Sequence, residues 1–345
     1  MGLNQRVPEA ASYIKEYEKL GFGLFLHWGL YSQLESGEWI QHYSQIPKEE
    51  YAELTRKFTA DTFHAHDIVS FAKACGMRYI CLTTRHHDGF SLYDTRGLND
   101  FDAPHSAAGR DLIKEYADAC HALGMPVFFY HTTLDWKVDS FNSDWDAYLE
   151  YLKVSVEILC KHYGKVSGFW FDGNWAKPEA DWKEDELYGM IRKYHPECII
   201  VNNSSTGARG RRGHPEVDVL TFEQGTPGKL EPKNGEKYVA REMCETINSH
   251  WGVTNRDFTY KSPSEIIDVL AACRQNGANL LLNVGLSPGG SIPEYEAAVL
   301  KVAGRWINTC GRSIYEGQPT ELQCKGKDFV LKLDQDYYYF LYNLP

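Results

Sequence analysis

Short apolar runs rich in β-branched and aromatic residues recur along the chain, and stretches of helical period lie between them. Gly21–Trp28 and Arg78–His86 read as strands, and between them Phe63, Ile68, Phe71, Ala72 and Cys75 mark one face of a helix. A helix over Asp111–Leu123 precedes a strand at Pro126–Thr132. Tyr148, Tyr151, Leu152, Ser155, Ile158 and Leu159, three and four residues apart, predict a long helix over Asp144–Tyr163. Further strands are expected at Ser167–Asp172, Ile199–Asn203, Val217–Phe222, Tyr238–Cys244 and Asn279–Val284. Helices are expected near Glu184–Tyr194 and Ser264–Gln275, with a last one over Glu294–Thr309.

Eight strands, mostly separated by helices, imply parallel pairing and right-handed crossovers. The economical closed arrangement is an α/β fold, a (β/α)8-like barrel of the TIM type. Ser204–Pro215 and Gln224–Lys237 are rich in Gly, Pro and basic residues and predict loops. The barrel is therefore expected to be irregular around strands five to seven, short of one or two helices. Phe329–Leu333 and Tyr337–Leu344 alternate around a turn at Asp334-Gln335-Asp336, which predicts a terminal β-hairpin. The expected organisation is a barrel over 1–312 and a short β extension over 313–345 packed on it.

The net charge of −11 argues against nucleic acid or an anionic membrane as partner, since either needs a basic face. No segment approaches 18 consecutive apolar residues, so no membrane span is expected. Met1–Tyr17 is polar, without the apolar core of a secretory leader. The nine cysteines are scattered through apolar runs and form no C-x-x-C pair. They read as reduced core residues of a cytoplasmic protein, without the ligand spacing of a structural zinc site. Aromatic content is 14%, which suits either an aromatic-rich core or a ligand, such as a sugar or a base, that stacks on rings.

Chemistry in such a barrel gathers at the C-terminal strand ends. Here those ends carry His27-Trp28-Gly29, His86-His87-Asp88, Tyr130-His131, Trp170-Phe171-Asp172-Gly173, Asn202-Asn203, Phe222-Glu223-Gln224 and Asn283, and the seventh strand carries Glu242. Together they predict a polar cup with aromatic walls. Successive strand residues face opposite sides, so one of His86 and His87 should enter the cup while the other braces its wall. Glu242 reads either as a buried partner for Arg241 or a cup histidine, or as a direct ligand. Asp172 follows an uncharged Gly168-Phe169-Trp170-Phe171, and Gly173 lets the chain turn away at once. Glu223 stands at a comparable point two strands on. Two carboxylates meeting across an aromatic cup is the arrangement that glycoside hydrolysis needs.

Four motifs carry a resemblance to family 29 glycoside hydrolases, the retaining α-L-fucosidases. They are Phe22-Gly23-Leu24-Phe25-Leu26-His27-Trp28-Gly29, Leu82-Thr83-Thr84-Arg85-His86-His87-Asp88-Gly89-Phe90, Trp170-Phe171-Asp172-Gly173, and Leu281-Leu282-Asn283-Val284-Gly285 leading to Ile292-Pro293. The resemblance implies Asp172 as nucleophile and places Glu223 where one branch of the family carries its general acid/base. It implies that His27, Glu38, Trp39, His86 and His87 hold fucose hydroxyls, and that Trp170 and Trp251 line the sugar. Phe129, Tyr130 and His131 lie where the family places one more sugar contact. The substrate would be a fucosylated oligosaccharide or glycoconjugate, with no cofactor and no metal. Two departures are visible. Ser204 follows Asn202-Asn203 where many members carry an arginine, with Arg209, Arg211 and Arg212 nearby; and the family's C-terminal β-sandwich is reduced to the terminal hairpin.

Two other readings compete. A metal-dependent hydrolase could use His27, His86, His87, His131 and Asp172, but no H-x-H or H-x-x-x-H pair stands at a strand end. A non-catalytic sugar-binding barrel would need one of the two acids to be absent.

Overall fold

The computed structural model describes residues 9–203, 209–228, 237–322 and 324–342. Eight parallel strands close on themselves in chain order: β1 (Phe22–His27), β2 (Tyr79–Arg85), β3 (Val127–Thr132), β4 (Gly168–Asp172), β5 (Ile199–Asn203), β6 (Val219–Glu223), β7 (Ala240–Thr246) and β8 (Asn279–Gly285), with β8 paired back to β1. This is the (β/α)8 barrel that the strand count implies. The helices around it are α1 (Ser12–Glu18), α2 (Ile40–Tyr43), α3 (Lys48–Ala52), α4 (Ala65–Ala74), α5 (Leu112–Leu123), α6 (Ser140–Ser143), α7 (Trp145–His162), α8 (Glu184–Tyr194), α9 (Pro263–Gln275) and α10 (Glu294–Glu316).

Strand alternation sorts the core into two layers. Phe25, Tyr79, Cys81, Phe128, Tyr130, Trp170, Val201 and Leu281 fill the barrel, while Leu24, Leu26, Ile80, Leu82, Phe129, Phe169 and Phe171 pack outward on the helices. Gly23 makes room for this filling, because a Cβ there would fall 2.4 Å from the Tyr79 ring. The polar N-terminal stretch holds a helix the sequence pattern did not reveal. α1 sends Ile14 and Tyr17 into the inner cluster and closes the barrel at the end opposite the site.

The long helices carry the expected start signals. Asp111 and Asp144 each accept a backbone N–H three residues on, and Ser262 and Glu265 form a reciprocal capping box. Among the described residues no helix joins β5 to β6 or β6 to β7. The expected loops cover that ground, though 204–208 and 229–236 lie outside the described residues.

Two C-terminal expectations change. α10 continues to Glu316, past the Thr309 expected as its end. The hairpin of β10 (Phe329–Leu333) and β11 (Asp336–Phe340) gains a third strand, β9 (Gln318–Pro319), on its other edge. A two-residue strand containing proline has no alternation to read. The outer end of the expected hairpin, 343–344, lies outside the described residues. Phe329 and Leu331 seat this sheet against Ala271 of α9. No helix among the described residues is long and apolar enough to cross a membrane.

Candidate active site

One pocket opens at the C-terminal ends of the strands. Phe25 and His27 of β1, Tyr130 of β3 and Trp170 of β4 form its floor and inner wall, and Asp172, Asn203, Glu223 and Trp251 face it from β4, β5, β6 and the segment after β7. Trp39, His86, His87 and Trp175 complete it.

Asp172 is the last residue of β4, with a side chain 15% exposed. Three groups converge on its carboxylate. Trp175 donates Nε1–H to Oδ1 at 2.9 Å, Tyr130 donates its hydroxyl to Oδ2 at 3.1 Å, and His87 Nε2 lies 3.4 Å from Oδ2. Burial alone would push this carboxyl up, but His87, Trp175 and Tyr130 outweigh it and hold the group below the usual aspartate value. The turn that brings Trp175 into range depends on Gly173, whose φ is +123° and where a Cβ would lie 2.5 Å from the Leu134 nitrogen. His87 is fixed in turn by Nδ1, 2.6 Å from Thr132 Oγ1.

Glu223 ends β6. Burial raises its carboxyl to about 7, and the charges of Asp172 and Glu38 push the same way, while the Asn203 hydrogen bond and Arg209 oppose. Asn203 stands between the two acids. Its Nδ2 donates to Glu223 Oε2 at 2.8 Å and lies 3.5 Å from Asp172 Oδ1. Its Oδ1 accepts from the Thr221 hydroxyl at 3.0 Å, which fixes which end of the amide meets the acids.

His27 and His86 are neutral donors and acceptors. Burial drives His27 down to about 3. Asn283 Nδ2 donates to the Trp251 carbonyl, so Asn283 Oδ1 must accept from His27 Nδ1–H at 2.6 Å, leaving Nε2 as an acceptor toward the pocket. His86 is pushed well below the usual histidine value by burial and then by His87 and His27. Its ring stacks on Tyr130 with a centroid separation of 5.4 Å.

The structure brings together Asp172, Glu223, His27, Trp39, His86, His87, Tyr130, Trp170 and Trp251. Both histidines of the pair line the pocket, against the expectation that one would brace the wall. The pairing of β2 with β3 shifts register between Thr83 and Arg85, and such a break re-aims the residues that follow. Two assignments are corrected. His131 alternates away from Tyr130 and is fully buried between Thr84 (2.8 Å) and Ser155 (3.0 Å), so of the three adjacent candidates Tyr130 is the pocket residue. Glu242 lies below the floor, where it accepts from Trp170 Nε1 at 2.9 Å and from the Tyr79 hydroxyl at 2.6 Å, with Tyr17 as a third donor. Glu38 stands beside the cavity, accepting the Gly252 N–H at 2.7 Å.

Two pocket residues, Phe25 and Trp175, were not among those expected, whereas Asn203 was, as part of the polar cup. Phe25 could have been found from alternation with His27. Trp175 had no signal, because it depends on the turn at Gly173. Arg209 donates Nε–H to the Glu223 carbonyl at 2.6 Å and so steadies that strand end. Ser204, the position of the expected departure, lies outside the described residues. Among the described residues no cluster of three or more His, Cys, Asp or Glu side chains is arranged to hold a metal ion.

Comparison with known proteins matches residues 5–312 to the model of a family described as alpha-L-fucosidase. A putative α-L-fucosidase of Caenorhabditis elegans is 28% identical over 335 residues, covering 88% of this chain and 67% of that one. Human tissue α-L-fucosidase is 26% identical, over 89% of this chain and 70% of its own. Among solved structures, α-L-fucosidase isoenzyme 1 of Paenibacillus thiaminolyticus superposes with a TM-score of 0.86 at 32% identity, over 94% of this chain and 82% of that one. An α-L-fucosidase of Lactobacillus casei, solved with its α-L-fucose product, superposes with a TM-score of 0.77 at 26% identity, over 88% of this chain and all of its own.

Proposed function

The chain belongs to the α-L-fucosidase family, the retaining family 29 glycoside hydrolases, and from that premise we propose that Asp172 and Glu223 carry its chemistry on terminal α-L-fucose. The observation that supports this most directly is the separation of the two acids in one pocket: donors keep Asp172 ionised, while burial keeps Glu223 protonated up to about 7.

Asp172 attacks the anomeric carbon as Glu223 gives its proton to the departing oxygen, forming a β-linked fucosyl-enzyme. Glu223, now ionised, takes a proton from water as that water attacks the same carbon from the face the leaving group vacated. α-L-Fucose is released and both acids return to their starting states. Neutral His27 and His86 offer acceptors and donors to the sugar hydroxyls, with His87 and Trp39 beside them. The rings of Phe25, Trp170 and Trp251 give the 6-methyl group and the sugar face an apolar seat. Fucose as the ligand is further supported by the product-bound Lactobacillus relative. The substrate is a fucosylated oligosaccharide or glycoconjugate. A reducing, cytoplasmic setting is supported by nine free cysteines, seven of them buried.

The test is chemical. A 2-fluorinated fucosyl donor should label the protein once, on the peptide containing Asp172. With azide and an aryl α-L-fucoside, Asp172→Gly should yield the β-fucosyl azide and Glu223→Ala the α-fucosyl azide. A label on another residue, or full activity in either variant, would sink the assignment.

A further inference from the structure

Aromatic side chains continue outward from the pocket. Trp39 and Trp175, both half-buried, line it and stack with centroids 5.8 Å apart. Trp39 also stacks on Tyr43 at 5.7 Å and meets the ring of Trp136 edge-on at 5.1 Å. Trp136 in turn stacks on His42 at 5.3 Å. Tyr43 and Trp39 come into register because α2 places them one turn apart, with the Tyr43 N–H on the Trp39 carbonyl at 3.0 Å. Tyr43 is 76% exposed, so it does not serve the core. Beside these rings lies a cleft bordered by His42, Gln45, Pro47, Lys48 and Trp136.

We propose that Tyr43, His42 and Trp136 form a second saccharide site, which holds a pyranose ring of the glycan that carries the fucose. The proposal rests on the fucosidase reading above and extends it to the rest of the substrate. Phe25 and Trp170, 1% and 3% exposed, close the pocket floor. Everything beyond the fucose must therefore leave through the mouth, where Trp39 and Trp175 stand. A pyranose has an apolar C–H face and a rim of hydroxyls. The exposed Tyr43 ring, and the half-buried Trp136 ring where it borders the cleft beside the amide and imidazole of Gln45 and His42, answer both. A few rings with a polar border fit one sugar, whereas a stable protein interface takes about 20–30 residues a side.

Steady-state kinetics on two substrates test this. An aryl α-L-fucoside fills the pocket alone, and a fucosylated tetrasaccharide reaches past it. Tyr43→Ala and His42→Ala should each lower kcat/KM on the tetrasaccharide roughly two- to tenfold, chiefly through KM, the scale of one lost ring contact. Both should leave the aryl fucoside unchanged, and Tyr43→Phe should retain wild-type behaviour on both. Equal losses on the two substrates, or no loss on the tetrasaccharide, overturn the site. So does a change of oligomeric state in Tyr43→Ala with tetrasaccharide kinetics intact, which would make the rings a contact between copies of the chain. A wild-type protein inert toward the aryl fucoside would instead remove the fucosidase reading, and the second site with it.

Discussion

Asn203 bonds Glu223 and reaches toward Asp172, and its removal should be visible in a pH profile. Its Nδ2–H stabilises ionised Glu223, so it opposes the burial that raises that carboxyl to about 7. In the wild type, kcat/KM on an aryl fucoside should fall as pH rises through about 7, because the proton needed by the leaving group is gone. Asn203→Ala removes a donor to the charged form, so the alkaline limb should move to higher pH while the rate itself drops. A limb that stays fixed or moves down would show that Asn203 does not tune Glu223. Glu223→Gln should abolish the alkaline limb and cost about 10²–10⁴ in rate on substrates with poor leaving groups. His27 should contribute nothing to the acidic limb near neutrality, since burial holds it at about 3 and its role is that of a fixed acceptor.

At the scale of elements, the floor of the pocket is held from the far end of the barrel. Glu242 on β7 gathers hydroxyls from Tyr17 of α1 and Tyr79 of β2 and holds Trp170 of β4 by its indole N–H. Trp170 stacks on Tyr130 at 5.7 Å, and Tyr130 donates to Asp172. Glu242→Leu would leave three buried donors unmatched, each costing about 1–3 kcal/mol, and should lower Tm markedly. Tyr17→Phe removes a single bond, about 1 kcal/mol, and should lower Tm by about one to two degrees with less effect on kcat. Calorimetry beside kinetics separates the two; a Glu242→Leu variant as stable as the wild type would refute this account. The same network explains what the sequence could and could not tell. Strand periodicity and the polar strand ends were enough for the barrel and for most of the pocket, because both follow from alternation and from where parallel strands stop. Glu242 carried no mark of its depth along the strand: the sequence shows which face a residue takes, not which layer of the barrel it reaches. His131 could have been excluded by alternation with Tyr130; it entered because the strand ends there and the resemblance places one more sugar contact among Phe129, Tyr130 and His131. α1 was hidden because a short helix that buries only Ile14 and Tyr17 has too few apolar positions to show a period.

For the whole molecule, one buried acid outside the site should tie stability to pH in the same direction as catalysis. Glu296, on the first turn of α10, is 2% exposed, and among the described residues its Oε2 has no hydrogen-bond partner. Burial raises it to about 8, against an ordinary 4.5. The helix N-terminus favours its charge by only about 0.3–1 kcal/mol, too little to cancel the desolvation. Between those two values the native state holds a proton that the unfolded chain has released, so stability falls as pH rises across that window. Glu223 acts in the same sense over the narrower range from 4.5 to about 7, so the burial that makes it a proton donor also costs stability on the alkaline side. Glu296→Gln keeps the shape and removes the charge. It should change Tm little at pH 5 and raise it at pH 8.5 by several degrees, for a difference of about 4–5 kcal/mol between an ordinary 4.5 and about 8. Activity on an aryl fucoside should not change, since Glu296 does not line the pocket. A Tm difference that is the same at both pH values would show that Glu296 does not carry this effect, and the alkaline loss of stability would then come from other buried acids that burial raises, such as Glu223 and Asp88.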